Sequence, residues 1–225
     1  MDDMWAKTDP YKSLLHHMID AGCMAEMLLQ GGILRPALGR LDALISEHKV
    51  LNTAACLIAL HDIGKCHPYF QGKAPSLPVI RELNTQGRLS VLQQFPYRHE
   101  LGGKRILERL LKNKGISSQQ LRMMGSVLRL HHQKGAMDAP GLRIPENMDR
   151  PYWEGQQRLL FDQVCIVFDP DFKLFEDCTN LNAAAVLLWG CMVLSDWLVS
   201  GQQEFSDIDE SLPLQEYITT SRRVA

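Results

Sequence analysis

Apolar residues recur along most of this chain at intervals of three and four, the spacing that lines one face of an α-helix. The pattern predicts helices near residues 10–30, 51–63, 97–113, 117–132, 152–166 and 181–200, with a last amphipathic one beginning near 211. No stretch alternates apolar and polar positions well enough to predict a strand, and no internal repeat is visible. The expected fold is all-α, a compact helical bundle. GKAPSLPVIRELNTQG at 72–87 and KGAMDAPGLRIPENMDRP at 134–151 are rich in Gly, Pro and Asn and are predicted as long surface loops.

The informative exceptions are polar residues on the apolar faces. In the first helix Leu14, His17, Ala21, Met24 and Leu28 share a face, so His17 points at the core, whereas His16 shares a face with Lys12 and Asp20. His61 continues the stripe of Ala54 and Leu57, and Asp62 that of Leu51, Ala55 and Ile58. His99 lines up with Gly103, Ile106 and Leu110; His131 and His132 end a helix whose inner face is Leu121, Met124, Gly125 and Leu128. Asp196 follows Ala185, Trp189 and Met192 in a helix apolar nearly all round, where an unpartnered carboxylate is expensive to bury. Any one of these is ordinarily a hydrogen-bonded core group. Two aspartates and five histidines from five helices ask for a shared counter-charge, which a metal cluster supplies. His48, in the polar run SEHK, and His67, before Pro68, are read as surface or supporting groups.

Composition narrows the setting. At 225 residues and 45% hydrophobic content the chain can bury one sizeable core, so one domain is expected. A net charge of -2 gives no global invitation to nucleic acid or membrane, so any basic surface is local. Arg98, Lys104, Arg105, Arg109, Lys112, Lys114, Arg122, Arg129 and Lys134 cluster around His99, His131 and His132, either as a nucleic-acid path or as an ordinary solvated face with Glu100 and Glu108 interspersed. Six cysteines without a Cys-x-x-Cys spacing, and an N-terminus without a signal-peptide core, predict a reduced, cytoplasmic protein. AAAVLLWGCMVL at 183–194 suits a buried core helix and falls short of the roughly 20 residues a bilayer span needs, so no membrane partner is expected.

The order His17, His61-Asp62, His99, His131-His132, Asp196 resembles the HD superfamily of metal-dependent phosphohydrolases. The stretch HDIGKCHPYFQ at 61–71 is similar to a narrower group, the N-terminal HD nuclease domain of the CRISPR-associated helicase-nuclease of type I systems. RHELGG around His99, LHHQKG around His131 and His132, and LSDWLVS around Asp196 match that group as well, although Gln133 and Lys134 stand where the family usually has Gly after the paired histidines.

The resemblance implies an HD-domain helical bundle over residues 1–205, with 206–225 a helical extension leading toward a helicase domain. It implies cleavage of DNA, chiefly single-stranded, by endo- or exonuclease action in CRISPR interference, with a helicase and an RNA-guided surveillance complex as partners. In the implied ligand set Asp62 bridges two divalent ions, His17, His61 and Asp196 complete one site, and His99, His131 and His132 form the other. Imidazole and carboxylate donors without thiolate favour iron, manganese, cobalt or nickel over structural zinc. Two cations roughly 3.5–4 Å apart generate a nucleophile and stabilise a leaving oxygen in one geometry. Lys65 is expected one helical turn past His61, beside the scissile phosphate, or else as a helix-terminal lysine complementing the dipole. Gly64-Lys65-Cys66 lacks the leading Gly and the hydroxyl of a phosphate loop, so activity independent of ATP is expected. Two other readings fit these residues less fully: a phosphohydrolase of nucleotides or small phosphate esters, and a metal-stabilised, non-catalytic interaction module.

Overall fold

Ser13 ends a strand and caps a helix, and from that junction the rest of the bundle is laid out. In the computed structural model, which describes residues 4–31, 47–89, 97–132, 143–145, 148–174 and 181–225, β1 (Trp5–Thr8) and β2 (Tyr11–Ser13) form an antiparallel hairpin. Ser13 Oγ then accepts from the His16 amide at the start of α1 (Leu14–Gln30). The predicted first helix therefore starts at Leu14 and not at 10, and the absence of strands is corrected here: segments of four and three residues are too short to show alternation.

α2 (Glu47–Ala59) packs along α1 and tightens at its end into a 3-10 helix, Leu60–Lys65. Two short helices follow, α3 (Pro68–Gln71) and α4 (Pro78–Thr85). The second corrects the predicted loop at 72–87, because Pro78 at the first helical position fixes φ where the amide would be unpaired anyway. α5 (His99–Leu111) lies against the 3-10 helix and against α6 (Ser118–Leu130), which opens on a reciprocal capping box between Ser117 and Gln120. Most of the predicted loop at 134–151, with Lys134, lies outside the described residues, as does Cys178.

α7 (Arg150–Phe168) covers α2 and α1, with Trp153 fully buried. α8 (Leu181–Gly201) runs longer than the apolar dozen read from the sequence and packs on α1 and α6 by one face. Its other face is open, with Val186 62% and Trp197 66% exposed, so the expectation of a buried core helix holds for one face and is corrected for the other. The short α9 (Gln203–Ser206) leads to α10 (Leu214–Val224), which returns to α1. Apart from the hairpin, every described element is helical, and the all-α expectation holds.

α10 buries the polar face of α1. Asp20, fully buried, accepts from Tyr217 Oη at 2.9 and 3.0 Å and Ser221 Oγ at 2.7 Å, and pairs with Lys12 Nζ at 3.1 Å. Lys12 also donates to the Phe205 carbonyl at 2.7 Å. His16 lies 3.4 Å from Glu210 and stacks on Tyr217 at 4.1 Å. A buried carboxylate is tolerated only with such partners. α1 is consequently enclosed on two sides, with Asp20 facing one and His17 the other.

Candidate metal centre

The centre is built on the 3-10 helix. At three residues per turn, positions i and i+3 eclipse. Lys65 therefore stands over Asp62, its Nζ 2.6 Å from Asp62 Oδ2, and not one α-turn past His61 as expected from an unbroken helix. The tightening is enforced by α5. Tyr97 Oη donates to the Gly64 carbonyl at 2.7 Å, and Gly64 and Gly103 allow the two backbones to touch.

Asp62 lies at the middle of the polar cluster, and its two oxygens divide it. Oδ2 is 3.3 Å from His17 Nε2 and 3.4 Å from His61 Nε2; Oδ1 is 3.2 Å from His99 Nε2 and 3.7 Å from His131 Nε2. On the first side Asp196 Oδ1 approaches His17 Nε2 at 3.3 Å and His61 Nε2 at 3.6 Å. On the second side His99 Nε2 is 3.2 Å from His131 Nε2 and 2.9 Å from His132 Nε2. All seven residues singled out from the sequence are thus in one cluster, supplied by α1, the 3-10 helix, α5, the end of α6 and α8.

The ring orientations leave the Nε2 atoms facing inward. His61 Nδ1 donates to the Ile58 carbonyl at 2.9 Å and His131 Nδ1 to the Leu128 carbonyl at 2.6 Å, which places a proton on each Nδ1 and turns each Nε2 toward the cluster. Burial opposes charging of His61, but Asp62 and Asp196 outweigh it and raise its pKa to about 10. Burial would also raise the carboxyl pKa values; Lys65 and His61 hold Asp62 well below the usual range, and His17 and His61 do the same for Asp196. Burial pushes His131 down to about 3, and burial beside His99 lowers His132. Two carboxylates thus stand against Lys65 and His61 on one side, while the other side is a knot of imidazoles.

Two donor sets fit a cation each. His17, His61 and Asp62 place one ligand atom apiece within 4.8 Å of one another, and so do His99, His131 and His132. His61 Nε2 is buried with no hydrogen-bond partner, and at the second set the Nε2 atoms of His131 and His132 both converge on His99 Nε2, where His131 presents a lone pair and not a proton. Both features are resolved by a divalent ion with imidazole and carboxylate ligands.

His67, read as a surface or supporting group, is not at the surface: it is buried, caps α3 by accepting from the Tyr69 amide at 3.2 Å, and stacks on Tyr97 at 4.2 Å. His16 and its face lie under α10. His48 lies in α2, with its side chain outside the described residues. Among the basic residues Arg98 pairs with Glu100, Lys104 with Glu108 at 3.7 Å, and Arg109 with Gln157 at 2.6 Å, as on an ordinary helix face. The sequence reading missed Lys7, which lies within electrostatic reach of Asp196 and Asp62, and also missed Tyr97. Only its place two residues before His99 pointed to Tyr97.

Comparison with known proteins matches the family "Cas3, HD domain" over residues 5–205. The CRISPR-associated endonuclease/helicase Cas3 of Thermus thermophilus is 29% identical over 166 residues, 72% of this chain but 18% of that protein. Among solved structures, the Thermus thermophilus cas3 HD domain in the presence of Ni2+ superposes with a TM-score of 0.67 at 22% identity, covering 94% of this chain and 81% of that one. Cas3 of T. fusca with ADP gives 0.75 at 21% identity, covering 100% of this chain and 26% of that one. A chain of a CRISPR RNA-guided surveillance complex, pre-nicking, gives 0.71 at 21% identity, covering 99% and 28%. The chain thus spans less than a fifth of the curated relative it matches.

Proposed function

This chain belongs to the Cas3 HD-domain family, and on that premise we propose that it is a metal-dependent nuclease that hydrolyses DNA phosphodiester bonds, preferring single strands, in CRISPR type I interference. The observation that carries the reading is the division of donors about Asp62, one set on each carboxylate oxygen.

His17, His61 and Asp196 would hold one divalent ion, His99, His131 and His132 a second, and Asp62 both; iron, manganese, cobalt and nickel suit the donors. When bound, such a pair supplies an acidified water as nucleophile and a stabilised leaving oxygen. The protein's own groups do the rest. Ile58 and Leu128 carbonyls orient two of the imidazoles, the apolar core around α1 and α2 excludes bulk water from the buried side, and Asp196 and His132 stand at the more open mouth. Lys65 is placed to meet a phosphate oxygen as a point charge.

A helicase domain or subunit and an RNA-guided surveillance complex are the proposed partners, and the cytoplasm the proposed setting. The relatives whose names carry a helicase and such a complex support the partners.

The test is cleavage of fluorescent single-stranded, duplex and mononucleotide substrates by protein stripped of metal and reloaded with each candidate ion. Single strands should be cut without ATP, cutting should stop on chelation, and it should weaken steeply with salt as backbone-dominated binding does. Equal cutting of blunt duplex would overturn the strand preference. Preferential hydrolysis of the mononucleotide would point to a small phosphate ester instead.

A further inference from the structure

Phe70 and Gln71 close the stretch HDIGKCHPYFQ, and the proposed chemistry gives neither a task. Gln71 is fully buried, and its amide is spent on two segments. Oε1 accepts from the Trp5 amide at 3.1 Å, and Nε2 donates to the Trp5 carbonyl at 3.0 Å and to the Lys65 carbonyl at 2.9 Å. The Trp5 indole N–H returns a bond to the Gln71 carbonyl at 3.0 Å. The side chain thus pairs with Trp5 as a neighbouring strand would, and stitches β1 to the end of the 3-10 helix.

The next residue along β1 is Ala6, whose carbonyl accepts from Lys65 Nζ at 3.3 Å. Both ends of Lys65 are therefore held by groups that Gln71 fixes: its own carbonyl directly, and its ammonium through the backbone of Trp5 and Ala6. A lysine stem has four rotatable carbons and keeps no direction without acceptors. Here the acceptors are Asp62 Oδ2 and Ala6 O, and whatever else Asp62 binds, Ala6 O stays in place. Phe70 completes the frame. Its ring lies 5.5 Å beneath Lys65 Nζ, stacks on Trp5 at 4.6 Å and meets the His99 ring edge-on at 5.3 Å.

We propose that Gln71 is a positioning residue that aims the Lys65 ammonium at the reacting phosphate by holding β1 and the 3-10 helix in one register. This rests on the reading of the cluster as a phosphodiester-cleaving centre with Lys65 at the phosphate. Gln71 touches no substrate and acts only through Lys65, which separates it from an ordinary buried glutamine that stabilises the fold wherever it sits.

The test is a double-mutant cycle with Lys65→Met and Gln71→Met, both close in volume to the native residue. Steady-state cleavage of a single-stranded oligonucleotide is measured per metal-loaded protein, and urea denaturation is measured on the metal-free proteins. Lys65→Met should lower kcat by roughly 100-fold, the size of effect seen when one positioned charge donor is removed. Gln71→Met should lower kcat by about 10-fold with KM nearly unchanged, yet change it by less than about twofold once Lys65 is already Met, because contacting residues couple. The denaturation midpoints should be non-additive as well.

An equal kcat loss from Gln71→Met in both backgrounds, or strictly additive midpoints, would overturn the proposal and leave Gln71 a structural residue. An unchanged kcat in Lys65→Met would overturn it by removing the residue Gln71 is said to aim. If the native protein cleaves no phosphodiester at all, the functional reading fails, while the urea cycle still decides whether the two side chains are coupled. Should Gln71→Met not fold, Trp5→Phe removes only the indole bond, and its smaller kcat loss should likewise vanish beside Lys65→Met.

Discussion

The carbonyl of His99 occupies the space that a Cβ on Gly64 would need, and the amide nitrogen of Gly103 lies 2.5 Å from the same point. Both obstacles are backbone, so neither can swing aside. The glycine two residues past Asp62 is therefore what lets the half of the cluster on the 3-10 helix meet the half on α5.

Gly64→Ala should accordingly separate His61 and Asp62 from His99. Overpacking of this kind costs about 1–3 kcal/mol, and with unyielding backbone on both sides the upper end is expected. Urea denaturation should show that loss, and cleavage should fall further than stability alone accounts for, because Asp62 Oδ1 would withdraw from His99 and His131.

Asp62→Asn keeps the shape and removes the charge shared by the two donor sets, so metal analysis should find both ions lost and cleavage at background. Asp196→Asn should weaken chiefly the His17–His61 side, and His99→Ala chiefly the His131–His132 side. Circular dichroism of each variant checks that the helices survive. Two ions per chain and normal cutting in Asp62→Asn would show that its oxygens do not serve both sides.

His67 makes stability depend on pH. Its Nδ1 accepts from the Tyr69 amide, so the neutral ring carries its proton on Nε2, and burial lowers its pKa from 6.5 to about 3. Between those values the unfolded chain holds a proton that the folded protein refuses, so stability falls as pH drops through this window. The contribution approaches about 1.4 kcal/mol per pH unit at its steepest. His67→Phe keeps a ring against Tyr97 and removes the titration. Urea midpoints measured from pH 7 down to 4 should fall less steeply in the variant than in the native protein, and parallel profiles would refute the assignment.

The long helices and the seven inward donors were legible because burying an apolar stripe imposes a period, and a His or Asp inside that stripe is conspicuous. Lys65 was placed over the wrong neighbour, since nothing in Ala59–Leu60–His61 signals that the helix tightens; the cause lies in Gly64 and Tyr97 pressing α5 against it. The hairpin was too short to show its alternation, and its partner is a glutamine side chain 66 residues away. Lys12, His16 and Asp20 could be grouped on one face but not assigned to water or to the interior, because a satisfied buried ion network and a wet one share the same sequence pattern. Only the tertiary position of α10 tells them apart. The choice between a surface and a supporting His67 stayed open for the same reason, its burial depending on Tyr97.

The match to the family model ends before the packing around α1 is complete. The match to the family model stops at residue 205, yet Tyr217 and Ser221 make three of the four polar contacts that keep the Asp20 carboxylate in a dry interior, three residues from His17. A fragment trimmed at the edge of the match would hand Asp20 back to water and let solvent reach the flank of α1. The dielectric behind His17 would rise, and the attraction that keeps His17, His61 and the two carboxylates in register would be screened. Residues 206–224 therefore act as insulation: they contribute no group to the cluster, and they set the medium in which its charges are felt.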